Sequence, residues 1–256
     1  MSNSLPKGFV FSIALEGYEK TFSACIESQR EYCLKHNYEY VLINTSPRKM
    51  KPKEAAWIKI PLILASLETG YDWVAFIDSD CEIRENTPPF DEYFAEYTDK
   101  SIFMATGKSG RLNSGVIFIK NEPAAISYFK TILANADFTV PSEDRTSFEN
   151  GHIIHYGKGN NDIYTLDHTI WNNNSLLDDT SYIQHYSSGI LRDWFYTKHN
   201  IQPKSKSAIT KFLEKITRNT PEKRDKGYYT GHLSVELDKL MDFYYENYKG
   251  FKKGGY

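Results

Sequence analysis

The chain alternates between short, almost wholly apolar runs and longer stretches in which apolar residues return every three or four positions. Runs of the first kind are "GFVFSIAL" (8–15), "YEYVLIN" (38–44), "WVAFI" (73–77), "SIFMATG" (101–107) and "GVIFIKN" (115–121). Their length and weak alternation suit strands buried on both faces. Between them, "TFSACIESQREYCLKHN" (21–37) sets Phe22, Cys25, Ile26, Gln29, Cys33 and Leu34 on or near one helical face. "EAAWIKIPLILASLETG" (54–70) reads as a helix stopped by Gly70, with Pro61 kinking it or marking its first turn. "EPAAISYFKTILANA" (122–136) is a helix with proline near its start. Strands and helices in this order predict an α/β fold, its sheet covered on both faces.

The pattern changes after about residue 200. Residues 198–229 hold nine Lys or Arg, and Ile209, Phe212, Leu213 and Ile216 repeat at helical spacing. A further helix over 233–248 puts Leu233, Leu237, Leu240, Met241 and Tyr244 on one side. The expected organisation is a main domain over 1–200 and a helical appendage over 201–256 packed on it. The basic helix has peripheral contact with a membrane surface as its alternative role.

Bulk composition narrows the classes. The chain of 256 residues is 40% apolar and 25% charged, enough for one domain with an appendage. A net charge of −2 gives no reason to expect nucleic acid as a partner. Cys25, Cys33 and Cys81 are odd in number and lack zinc-site spacing, which fits free thiols in a reducing compartment. No basic segment precedes the first apolar run, and no run approaches the length that spans a bilayer. The expectation is a soluble, cytoplasmic protein.

The strand at 73–77 runs straight into Asp78, Ser79 and Asp80. In an extended segment, positions i and i+2 share a side, so both carboxylates are expected to face one point beyond the strand. Open α/β sheets bind ligands there. Two such carboxylates repel each other unless a cation lies near, and their oxygens suit Mg²⁺ or Mn²⁺. The same three residues also suit a plain turn or a helix N-cap. His152 and His155 in "NGHIIHYG" are three apart, but the Gly-bounded, Ile-rich segment reads as a strand or loop and is assigned no metal.

"WVAFIDSD" resembles the DxD strand of GT-A glycosyltransferases, which use nucleotide-sugar donors. "EAAWIKIPLILASLETGYDWVAFIDSDCEI", "REYCLKHNYEYVLIN", "RLNSGVIFIKNEPAAISYF", "TLDHTIWN" and "IQHYSSG" resemble, in order over about 8–190, segments of one family. It is the galactosyltransferase family of the yeast mannan type, which includes plant xyloglucan xylosyltransferases. The chain departs from the family in having no N-terminal membrane helix, in His168 where Gln is expected, and in Leu166-Asp167 where an acidic pair is expected. As a lone domain it is similar to soluble glycosyltransferases of large algal viruses or bacteria, which for a viral protein would mean the host cytoplasm.

The resemblance implies a GT-A fold: a mixed, mostly parallel sheet flanked by helices. It implies that Asp80 binds a metal directly, that Asp78 binds the ribose or the metal, and that Ser79 lies between them at the donor. His185 matches the third metal ligand. Lys59 offsets phosphate charge or is a solvated surface lysine. Asn113, before Ser114 and Gly115, bonds a sugar hydroxyl or belongs to a plain turn. Ala14 and Tyr18, after the first strand, are candidates for cradling the base. Asp167 is expected near the reacting sugar or the acceptor, or as a helix N-cap, with His168 facing the acceptor.

The activity so implied is transfer of a sugar from a nucleoside diphosphate, UDP before GDP, to a glycan hydroxyl, dependent on Mn²⁺ or Mg²⁺. Retention of configuration is implied with it; an inverting enzyme would need a general base, for which Asp167 is the candidate. A nucleotidyltransferase is the weaker alternative, because "ALEGYEK" lacks a Gly-rich, basic loop for a triphosphate. A catalytically degenerate protein that binds glycans or nucleotides is the alternative from another class.

Overall fold

The computed structural model describes residues 8–202 and 232–254. Its strands are β1 (Gly8–Ile13), β2 (Glu39–Ile43), β3 (Trp73–Ile77), β4 (Cys81–Ile83), β5 (Ile102–Thr106), β6 (Leu112–Lys120), β7 (Ile163–Leu166) and β8 (Ile183–His185). Six form one sheet in the order β2-β1-β3-β6-β5-β7. β1 pairs parallel with β2 and β3, and β7 parallel with β5. β6 runs antiparallel between β3 and β5. The mostly parallel, mixed character has a local cause. No helix separates β5 from β6, so they join as a hairpin, with Gly110 at φ 72 in its loop.

Alternation along the strands builds two cores. Phe9, Phe11, Val74, Phe76, Ile117 and Ile119 face one side, with the helices α4 (Lys59–Leu67), α6 (Pro123–Ala134) and α10 (Leu233–Asn247). Val10, Ala75, Ile77, Phe103, Val116 and Phe118 face the other. There they meet Phe90 and Phe94 of α5 (Phe90–Ala95) and Trp171 of α8 (His168–Trp171). Every residue of α4 is buried, and Pro61 sits in its first turn, where no intrahelical amide bond is lost.

One helix expected as continuous is broken, and another gains a short helix ahead of it. The helix expected over 21–37 is α2 (Ser23–Lys35), with a short unexpected α1 (Tyr18–Thr21) ahead of it across Phe22, and the helix expected over 54–70 divides into α3 (Pro52–Trp57) and α4 at Ile58. Phe22 and Ile58 are fully buried, so packing wins over helical continuity. The segment "NGHIIHYG" is a helix, α7 (Asn150–Gly157), and not the strand or loop its glycines suggested. Gly151 is there for space: a Cβ would lie 3.2 Å from Val140 Cγ2. The His152 ring bridges the carbonyls of Asn135 and Phe138, and His155 pairs with Asp144.

α10 buries Leu233, Leu237, Leu240, Met241 and Tyr244 against the α4 side of the core. The basic helix expected around 209–216 lies outside the described residues. Among the described residues no helix is long and apolar enough to cross a membrane. β4 and β8 form a separate antiparallel pair, and this small sheet positions the site.

Candidate active site

The Asp78 amide donates to the Gly115 carbonyl at 2.7 Å, the last bond of the β3–β6 ladder. The Cys81 amide then closes on the Asp78 carbonyl at 3.0 Å. Asp78 to Cys81 is therefore a turn, not the extended segment expected, and the carboxylates converge by another route. Gln29 on α2 holds the turn open by donating to the carbonyls of Asp78 (3.0 Å) and Cys81 (2.7 Å). Ser12 on β1 in turn donates to Gln29 Oε1 at 2.5 Å.

The ladder between β4 and β8 sets Cys81 opposite His185, and the Tyr186 amide donates to the Asp80 carbonyl at 2.9 Å. His185 Nε2 consequently lies 3.3 Å from Asp80 Oδ1 and 3.9 Å from Asp78 Oδ2. Gly115 makes room, since a Cβ there would stand 2.5 Å from His185 Cε1.

The ring's tautomer follows from its neighbours. Asn113 Oδ1 accepts from the Gly115 amide (3.0 Å) and from Asn172 Nδ2 (2.9 Å). That turns Asn172 Oδ1 toward His185 Nδ1, 2.7 Å away, so Nδ1 carries the proton and donates. When the ring is neutral, Nε2 points a lone pair at two carboxylates. The arrangement is repulsive without a cation and complete with one. Asp78, Asp80 and His185 thus fit a hard divalent cation.

The charges agree with crowding. Burial and the nearby Asp80 push Asp78 up to about 6, against the pull of Lys59. Burial pushes Asp80 up too, but His185 and Arg192 outweigh it and hold this carboxyl at about 2. Burial pulls His185 down, and Asp80 and Asp78 more than reverse it. Cys81 Sγ shares the cluster of Asp80 and His185. Burial and the adjacent carboxylates push its thiol well up.

Lys59 is not a solvated surface lysine. It is 5% exposed, and its Nζ lies 2.9 Å from Glu149 Oε1, 3.5 Å from Asp78 Oδ1 and 3.3 Å from the Ser114 carbonyl. Glu149, Asn172 and Arg192 were missed from sequence. Arg192, on α9 (Gly189–Lys198), donates from Nη2 to Asp80 Oδ2 and from Nε to the Tyr186 carbonyl at 2.8 Å. Its position in the helix that opens directly after "HYSSG" was the available signal. Asn172 ends the family-like segment "TLDHTIWN", which was its signal, while Glu149 had none, because its role depends on contacts far along the chain.

Lys59, Asp78, Asp80, Glu149 and His185 line one cleft of about 710 Å³ together with Leu15, Tyr18, Asn113, Phe148 and Ser187. Ser79 is buried within the turn, outside the lining. Ala14 is also buried, its amide bonded to the Ile43 carbonyl, so its neighbours Ile13, Leu15 and Glu16 make that wall. Asp167 and His168 do not line the cleft. Asp167 is exposed and caps α8, accepting from the Thr169 amide (2.8 Å) and hydroxyl (2.7 Å).

Residues 12–87 match the model of the galactosyl transferase GMA12/MNN10 family, a stretch that runs from β1 through the Asp78–Asp80 turn. A search of the curated proteins finds no match. Among solved structures, the chain is similar to a glycosyltransferase involved in the glycosylation of the major capsid of PBCV-1. The two share 13% identity with a TM-score of 0.60, over 76% of this chain and 100% of that one. The glycosyltransferase GlyE of Streptococcus pneumoniae TIGR4 is 13% identical with a TM-score of 0.51, over 86% of this chain and 66% of that one. The fold is that of the GT-A glycosyltransferases.

Proposed function

We propose that this protein is a metal-dependent glycosyltransferase that moves a sugar from a nucleoside diphosphate, UDP before GDP, to a hydroxyl of a glycan. The observation that carries the reading is the convergence of Asp78, Asp80 and the oriented Nε2 of His185 at the carboxyl end of β3. The GT-A fold and the family match over 12–87 support it.

Asp78, Asp80 and His185 are the residues that hold Mn²⁺ or Mg²⁺. When bound, the cation offsets the charge that builds on the departing diphosphate. Arg192 fixes Asp80 from its other oxygen and adds positive charge at the same place. Lys59 keeps Asp78 aimed at the cation side by holding its Oδ1. Asn113 acts on His185 through Asn172, so we assign it first to positioning. Tyr18, 44% exposed on the cleft wall, is the aromatic surface offered to the base.

Retention is the stereochemistry we propose. Of the four carboxylates that line the cleft, Asp78, Asp80 and Glu149 are each paired with a cationic side chain, and the fourth, Glu16, stands on the wall built by the loop after β1. Asp167, the base an inverting route would need, caps α8 outside the cleft lining. A retaining transfer needs no such base, because the leaving phosphate can take the acceptor proton.

The test is thermal stability with UDP, GDP and ADP, each with and without Mn²⁺. Ligand at 100 times its dissociation constant stabilises by about 2.7 kcal/mol, a resolvable melting shift. The expected result is a Mn²⁺-dependent shift with UDP that disappears in Asp80→Ala. No shift with any diphosphate would overturn the assignment.

A further inference from the structure

Gln29 stands behind the proposed metal site and not in it. It is fully buried on α2 and does not line the cleft. A side-chain amide can donate twice and accept at least twice, and here every one of those places is taken. Nε2 donates to the carbonyls of Asp78 (3.0 Å) and Cys81 (2.7 Å). Oε1 accepts from the hydroxyls of Ser12 (2.5 Å) and Tyr40 (2.9 Å). The reverse orientation would set an oxygen against two carbonyl oxygens. The two hydroxyls, on β1 and β2, therefore aim the amide nitrogen at the turn.

What Gln29 grips is the frame of the two carboxylates. Its two acceptors are the carbonyls at the ends of the turn that carries Asp78, Ser79 and Asp80. The other bonds of that frame come from different elements. The Asp78 amide is held by Gly115 on β6, and the Asp80 carbonyl by the Tyr186 amide beyond β8. α2 adds one more, as the Ser28 hydroxyl accepts from the Ile83 amide at 3.0 Å. The turn cannot widen or narrow without breaking a buried bond to Gln29, which leaves a carbonyl without its donor.

Rigidity of this kind bears on which cation fits. Mg²⁺ demands near-ideal octahedral geometry at about 2.0–2.1 Å, whereas Ca²⁺ takes more oxygens at about 2.3–2.6 Å and adapts to irregular ones. Mn²⁺ is also smaller than Ca²⁺. Cavity size and flexibility decide between such ions. We propose that Gln29 is a positioning residue that holds the Asp78–Cys81 turn at the width of a small divalent cation and so selects Mn²⁺ against Ca²⁺. It acts through the main chain of Asp78 and Cys81 and touches neither cation nor substrate. This inference rests on the metal-site reading and adds to it how the ion is chosen.

The experiment titrates Mn²⁺ by electron paramagnetic resonance, with Ca²⁺ as competitor and no nucleotide. It uses the wild type, Gln29→Met, Tyr40→Phe and Tyr128→Phe. His185 is intact in all four, so its own preference for Mn²⁺ cancels in the comparison. Gln29→Met keeps the bulk and loses all four bonds. It should weaken Mn²⁺ by about tenfold or more while Ca²⁺ changes by less than about threefold. Tyr40→Phe leaves Gln29 in place but frees its oxygen, and should move the Mn²⁺ to Ca²⁺ ratio the same way by less. Tyr128→Phe removes a buried bond to the Ile153 carbonyl (2.8 Å), outside the turn and its supports. It should lower the melting temperature and leave the ratio alone.

A folded Gln29→Met with the wild-type ratio overturns the proposal, as does a Tyr128→Phe that shifts the ratio as much as Gln29→Met. If Gln29→Met does not fold, Tyr40→Phe decides alone, and an unchanged ratio there overturns it. A wild type that binds no Mn²⁺ overturns the metal-site reading itself, which is a separate result.

Discussion

His185 Nδ1 lies 2.7 Å from Asn172 Oδ1, so the residue that ends α8 decides which nitrogen of His185 is free to bind. Outer partners of a metal-binding histidine commonly govern affinity by 10–100-fold. Asn172→Leu removes the acceptor and is expected to weaken Mn²⁺ binding by about that factor. Asn172→Asp keeps an acceptor and should lose less. Titration of free Mn²⁺ by electron paramagnetic resonance, with no nucleotide present, reads this directly. A Leu variant that binds Mn²⁺ like the wild type would show that Asn172 only fills space.

Gly115→Ala tests the geometry from the other side. The added methyl would stand 2.5 Å from His185 Cε1 and 3.0 Å from Asp78 Oδ2, so two members of the proposed site must shift. The expected outcome is a folded protein whose circular dichroism is preserved but whose Mn²⁺-dependent shift with UDP is gone. Retention of that shift would mean the site has slack that these distances deny.

Lys59 and Glu149 have side chains only 6% and 4% exposed. Removing one member of such a buried pair strands the other charge and costs about 3–5 kcal/mol. Lys59→Met should therefore lose about that much in chemical denaturation. Lys59→Met with Glu149→Gln should recover part of it, because only Asp78 is then left uncompensated. A double variant as unstable as the sum of the singles would show that the two residues do not act as a pair.

Much of this was legible in the sequence, for physical reasons that differ by element. β1 and β3 are buried on both faces, so their apolar runs announced themselves. The β3 terminus announced Asp78 and Asp80 in the same way. His185 was reached through its resemblance to a family segment, although its placement depends on the pairing of β4 with β8 across the chain. The roles of Asn172 and Glu149 could not be read, because nothing local marks an amide that fixes a tautomer or a carboxylate that meets a distant lysine. Lys59 was left open between two roles, since burial of a lysine is decided by its partners. The glycines of α7 misled, because Gly151 serves close packing there and was read as a boundary.

The N-terminus of α10 is capped from elsewhere in the chain, and this connection should carry a pH dependence. Asp137 accepts from the Leu233 amide (2.5 Å) and the Ser234 hydroxyl (2.7 Å). Burial raises its carboxyl, but the Ser234 hydroxyl and the two amides outweigh that and hold it below the ordinary carboxylate range. A depressed carboxylate contributes stability that is complete above the unfolded value, about 3.9, and is lost as pH falls through the folded one. His232 Nδ1 lies 4.0 Å from Asp137 Oδ2, on a side chain that is 84% exposed. The loss is best read below about pH 5, in the range where carboxylates take up protons. Asp137→Asn is the neutral isostere and is expected to melt lower than the wild type at pH 7, by the equivalent of about 1 kcal/mol, as for a lost cap. The difference should close as the pH is taken below about 4, because the wild-type carboxyl then becomes as neutral as the amide. Melting curves of both proteins across that range check it, and a gap that stays constant to the lowest pH would show that the charge of Asp137 does not hold α10.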